Sequence, residues 1–80
     1  MLVPLYGFLE GDSIGLLVLV HDHQRVVEIG RSLQQAASVR VAPRPRASVY
    51  HRGRLLPPDL TVAQAGLSAL DRVDVVPEGI

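Results

Sequence analysis

The side chains able to do chemistry in this chain are few and scattered. His21-x-His23 is the one histidine cluster, with Asp22 between the two imidazoles. Two imidazoles need a third and a fourth ligand to hold zinc, and the chain has no cysteine to provide one. They read as exposed histidines on a loop leading into a helix. No Glu-x-x-His pair occurs, so a carboxylate-bridged di-iron site cannot be built from this chain alone. His51, next to Tyr50 in a strand pattern, reads as a histidine at the edge of the core with a satisfied nitrogen. The serines have no Gly-x-Ser-x-Gly context and no nearby His/Asp pairing, and the glycines match neither phosphate-loop spacing. The carboxylates are dispersed at turns. These patterns assign no catalytic, cofactor-binding or metal-ligating residue.

Charge is the next resource. The net charge is zero, yet residues 29–58 hold Arg31, Arg40, Arg44, Arg46, Arg52 and Arg54 and no acid. Lysine is absent. The arginines form either a solvated edge or a strip that docks on a carboxylate-bearing partner, where a planar guanidinium makes paired hydrogen bonds. Nucleic acid is a poor fit. There is no net positive charge to neutralise phosphates, and only Tyr50 lies near the strip to stack on a base.

Eighty residues make one domain, 1–80, with a single small core. At 48% hydrophobic and 20% charged the composition is globular rather than disordered. The absence of cysteine removes disulfides and thiolate chemistry. No basic region precedes an apolar run at the N-terminus, and no apolar stretch reaches membrane-spanning length. A cytoplasmic protein with no membrane association is expected.

The elements that would position any site follow from periodicity. Asp22 to Ser38 predicts a helix, with Asp22 offering an acceptor to the first turn. Val26, Ile29, Leu33 and Ala36/Ala37 form one apolar stripe, and Arg25, Glu28, Arg31, Ser32, Gln34 and Gln35 fall on the other faces. A lone amphipathic helix must bury its stripe against a sheet. Strands are expected over 2–9, 13–20, 48–52, 54–56 and 72–76, with Pro4 tolerable near a strand start or on an edge and Pro77 closing the last strand. Arg52-Gly53 makes a tight turn. Thr61-Val62-Ala63-Gln64 matches a capping box, followed by Gly66 at the end of a single helical turn. Strand, strand, helix, strand, short strand, turn, strand is an α+β arrangement, the β-grasp, with the first and last strands central. In the second strand Ile14, Leu16, Val18 and Val20 share one face. The opposite face carries Leu17 and Leu19 and is more apolar than one meant only for water.

The stretch Tyr50 to Val76 resembles ubiquitin-like proteins: strand, glycine turn, short strand, threonine-initiated turn, apolar strand. Modifiers and sulfur carriers of that fold end in Gly-Gly, whereas this chain ends Pro77-Glu78-Gly79-Ile80, so a conjugated or thiocarboxylate role is not expected. A closer likeness lies in Arg40-Val41-Ala42-Pro43, in Leu56-Pro57-Pro58-Asp59-Leu60-Thr61-Val62-Ala63-Gln64-Ala65-Gly66-Leu67, and in Asp74-Val75-Val76. These segments resemble the small B (gamma) subunit of toluene monooxygenase hydroxylases. Val39-Arg40 stands where the family usually has a double arginine, and Pro77 where an aromatic often ends the last strand.

That resemblance implies a non-catalytic subunit of a bacterial multicomponent soluble di-iron monooxygenase acting on aromatic or alkene hydrocarbons, isoprene among the latter. The di-iron centre would lie in the large alpha subunit, with no cofactor in this chain. Alpha and beta subunits would be its partners in a hetero-oligomer with two copies of each. The second apolar face then becomes a docking surface, with Leu17, Leu19, Tyr50 and Val76 as its apolar part and Arg40, Arg44, Arg52 and Arg54 as its polar rim. The competing reading is a free ubiquitin-like adaptor of a bacterial secretion system or other complex.

Overall fold

The computed structural model describes residues 1–79; Ile80, the last residue of the ending that lacks Gly-Gly, lies outside them. The strands are β1 (Leu2–Leu9), β2 (Gly15–His21), β3 (Arg46–His51), β4 (Arg54–Leu55) and β5 (Arg72–Glu78), and the helix is α1 (Val26–Ala36). They form one mixed sheet in the order β2-β1-β5-β3-β4. Strands β1 and β5 run parallel in the middle, and every other pairing is antiparallel. This is the β-grasp arrangement expected from the element order.

The helix lies across one face of the sheet. Val26, Ile29, Leu33 and Ala37 are buried against Val3, Leu5, Leu9, Val18, Val20, Val49, Val73 and Val75. Gly7 on β1 permits this close approach. A Cβ there would stand 2.8 Å from Leu33 Cδ1, so the leucine fills the space that any other residue on β1 would occupy.

Three expectations about local structure need correction. The helix begins at Val26, not after Asp22. Its first amides are satisfied across the fold: Val26 N–H donates to the Leu60 carbonyl at 2.8 Å and Val27 N–H to the Pro58 carbonyl at 3.2 Å. Glu28 Oε2 accepts the Arg25 N–H at 3.0 Å. With those orphan donors met, Asp22 is not needed as a cap, and its carboxylate accepts from the Met1 amino group at 3.1 Å instead. Gln34 is also not on a solvent face; it is buried, and its side-chain amide exchanges two hydrogen bonds with the Arg44 backbone. Finally, Pro77 sits inside β5 opposite Ala47. Beyond Val75 that strand has a neighbour on the β3 side only, so a residue without an N–H is tolerated as it is on an edge.

The remaining punctuation follows the sequence. Pro4 precedes the stretch of β1 that pairs with β5. Thr61 and Gln64 close the capping box at 2.9 and 3.1 Å, and Gly66 has φ +75°. Among the described residues no helix is long and apolar enough to cross a membrane.

Candidate functional site

Alternation along the strands divides the sheet into an inner face under α1 and an outer face. Since Val3, Leu5 and Leu9 point inward from β1, Leu2, Pro4, Tyr6 and Phe8 point outward. On β2, Val18 and Val20 point inward and Leu17 and Leu19 outward. The register sets Tyr6 opposite Leu17 and Pro4 opposite Leu19. Leu2, Tyr6, Leu17 and Leu19 are 54%, 47%, 56% and 61% exposed, so about half of each large apolar side chain is uncovered on one edge of the sheet.

The middle of the outer face is polar. Arg72 lies with its guanidinium carbon 4.1 Å from the Phe8 ring centroid and donates from Nη2 to Asp74 Oδ1 at 3.0 Å. This ion pair runs along the central strand β5, with Arg72 resting on the Phe8 ring of β1, and forms a polar bar between the two sides of the sheet. Beyond it, Val76 on β5 and Tyr50 on β3 are half-buried. The outer face is therefore split in two, and the structure does not bring Leu17 and Leu19 together with Tyr50 and Val76.

The four arginines assigned to the rim have separate fates. Arg40 holds Asp12 with a two-point grip, Nε to Oδ1 at 3.0 Å and Nη2 to Oδ2 at 2.9 Å, tying the β1–β2 turn to the segment after α1. That hydrogen bond holds the Asp12 carboxyl below the usual carboxylate range and raises Arg40 above its own. Arg44 donates from Nη1 to the Gly79 carbonyl at 2.8 Å. Arg52 and Arg54 lie at the other end of β3, in and just after the β3–β4 turn, and among the described residues neither has a carboxylate within ion-pair distance. The acid-free run of sequence is thus no continuous basic strip in space.

The histidines gather no metal site. The His21 and His23 rings stand 5.1 Å apart, and among the described residues no group of three or more His, Cys, Asp or Glu side chains could hold an ion. His51 is largely covered, with Nε2 3.5 Å from Asp71 Oδ2. Leu2 and Tyr6 are surface residues that the sequence reading did not single out. Carrying the alternation test from β2 to β1 finds them, because Pro4 between them marks the same outward side.

Residues 2–76 match the family described as toluene-4-monooxygenase system protein B (TmoB). No curated protein matches the chain. It is similar to a chain from a toluene 4-monooxygenase HD complex with the inhibitor 4-bromobenzoate, with a TM-score of 0.89 and 28% identity over 98% of this chain and 100% of that one. It is also similar to ubiquitin from Caldiarchaeum subterraneum (TM-score 0.80, 13% identity, 100% and 98% covered). The UBL domain of Plasmodium falciparum Dsk2 matches at a TM-score of 0.75 and 12% identity, with 98% and 100% covered. The last two establish a ubiquitin-like fold and nothing more.

Proposed function

The chain belongs to the toluene-4-monooxygenase system protein B family, and from that membership we propose that it is a non-catalytic gamma (B) subunit of a bacterial multicomponent di-iron monooxygenase hydroxylase oxidising aromatic or alkene hydrocarbons. In this reading residues 1–80 form one ubiquitin-like domain that works in the cytoplasm. It docks on the large alpha subunit, which carries the di-iron centre, and stabilises it, with a beta subunit completing a hetero-oligomer of two copies each. The reading is supported above all by the likeness to a chain of a toluene 4-monooxygenase complex that is covered from end to end.

In this reading the subunit holds on by the outer face of its sheet. The uncovered row Leu2, Tyr6, Leu17 and Leu19 is the apolar centre of the docking surface, and Tyr50 and Val76 continue it beyond the Arg72–Asp74 bar. Arg40 and Arg44, already engaged within the chain, shape the far end of the sheet, while Arg52 and Arg54 stay free for acceptors on a partner. No residue of this chain is given a part in the oxidation.

Co-expression with a large hydroxylase alpha subunit carrying Glu-x-x-His motifs tests the reading. Leu17 and Leu19 each keep just over half their surface open. Covering both stabilises a complex by about 2–3 kcal/mol, or roughly 30- to 150-fold in Kd. Leu17→Ser with Leu19→Ser should therefore leave the free chain folded and remove it from the purified complex. A wild-type chain that elutes alone as a monomer beside a fully assembled alpha subunit sinks the proposal.

A further inference from the structure

We propose that the groove between the β3–β4 hairpin and the segment that follows it binds an acidic stretch of another protein chain, with one apolar side chain held between carboxylates. The groove has a volume of about 390 Å³ and is lined by His51, Arg52, Arg54, Leu56, Leu60 and Gln64 among others. It lies at the β4 edge, across the sheet from Leu17 and Leu19. It shares Arg52 and Arg54 with the rim of the proposed docking surface, but binding of a free acidic peptide there is tested without the hydroxylase.

Among the described residues its free donors are Arg52, Arg54 and the Gln64 amide, while His51 at its margin has Nε2 3.5 Å from Asp71 Oδ2. His51 and Arg54 are directly opposite each other in the β3–β4 register, and Arg52 occupies the turn between them. No acid lines the groove, and among the described residues Arg52 and Arg54 have no carboxylate partner. The Gln64 Oε1 already accepts the Thr61 N–H at 2.9 Å, which leaves its NH2 group to donate. Guanidinium groups in such a setting match carboxylates in geometry as well as charge.

Arg52 adds an independent sign. It has φ +54° beside Gly53 at φ +77°, a two-residue turn in which asparagine fits the backbone better than arginine. An arginine placed where local structure disfavours it points to a use for its side chain. The apolar part of the groove selects the occupant. Leu56 and Leu60 would stay wet under a small anion, and the groove has no Phe, Tyr or Trp to stack on a nucleotide base; its one flat ring, His51, is largely covered and faces Asp71. An acidic stretch carrying a leucine satisfies both halves.

The test is an amide-resolved NMR titration of the full chain with the capped peptide Glu-Glu-Leu-Asp-Glu at about 20 mM salt, where screening is weak. Shifts should concentrate at residues 51–56 and 64. Arg52→Asn with Arg54→Gln should weaken binding about 2- to 30-fold, the range for two exposed ion pairs. Asparagine suits the turn, so that loss is separable from unfolding by the melting temperature. Replacing the peptide's leucine by glycine should also weaken binding. The proposal is overturned by an absence of shifts, by equal shifts around Arg31, Arg44 and Arg46, or by inorganic phosphate or oligothymidylate competing for the same residues as strongly as the peptide.

Discussion

Arg52→Asn should make the protein more stable while removing a positive charge from its surface. The β3–β4 register pairs His51 with Arg54, so residues 52 and 53 alone turn the chain, both at positive φ. An L-residue in the left-handed region costs about 1–2 kcal/mol, and asparagine tolerates that region several-fold better than arginine. Arg52 is exposed and makes no hydrogen bond or ion pair among the described residues that its loss would cancel. Relief of about 0.5–1 kcal/mol is expected, which raises Tm by about 2–8 °C in a domain of this size. Urea denaturation should show a higher midpoint at unchanged slope. Gly53→Ala is the control: an added Cβ meets nothing within 4 Å, yet φ +77° is retained, so stability should fall by about 1–2 kcal/mol through strain alone. An unchanged or lower Tm for Arg52→Asn refutes the reasoning, because it would mean that the arginine side chain contributes as much as the turn loses.

Gly7→Ala should destabilise by about 1–3 kcal/mol in thermal melts, since the new methyl must displace the fully buried Leu33 side chain. Gln34→Ala should cost about 1–2 kcal/mol by the same measurement, because the Arg44 N–H and carbonyl lose the amide that ties this connection to α1. Asp12→Asn should flatten the acid limb of a stability–pH curve. A lowered carboxyl pKa means that the folded chain holds the ionised form more firmly than the unfolded chain does. The Arg40 pairing therefore stabilises above the ordinary value of 3.8 and is lost as pH falls below it. Wild type and variant should differ most at neutral pH and converge in acid; parallel curves would count against the pairing.

Local signals carried most of the fold, and distance in sequence explains the rest. The stripe Val26, Ile29 and Leu33 and the Thr61–Gln64 box are written in neighbouring residues, and both stand in the structure. The start of α1 was not legible near Asp22, because its amide acceptors arrive from Pro58 and Leu60, more than thirty positions away in the sequence. The spatial grouping of the arginines is not legible in their run for the same reason. Asp12 reaches Arg40 across 28 positions, so a stretch without acids in sequence is not one in space. Pro77 reads as a terminator in sequence, because a single sequence does not reveal that β5 has lost its β1 neighbour by that point. Leu17 and Leu19 were legible, since alternation alone assigns a strand's outward side.

The two edges of the sheet are treated differently, and the difference bears on what the protein does. Natural sheets protect an edge with a short strand, charges, a proline or a bulge, because unpaired backbone groups invite another chain. The β4 edge is two residues long and carries Arg54. The β2 edge is seven residues long, has no charged residue or proline, and turns Leu17 and Leu19 outward at 56% and 61% exposure. An edge of that kind is a liability for a chain that lives free and an asset for one that is covered on assembly. The polar groups elsewhere point the same way: Asp12, Gln34, Arg40 and Arg44 are occupied in holding this small fold together. What the fold leaves uncovered is the apolar outer side of β2 at one edge and, at the other, Arg52 and Arg54, unpaired among the described residues.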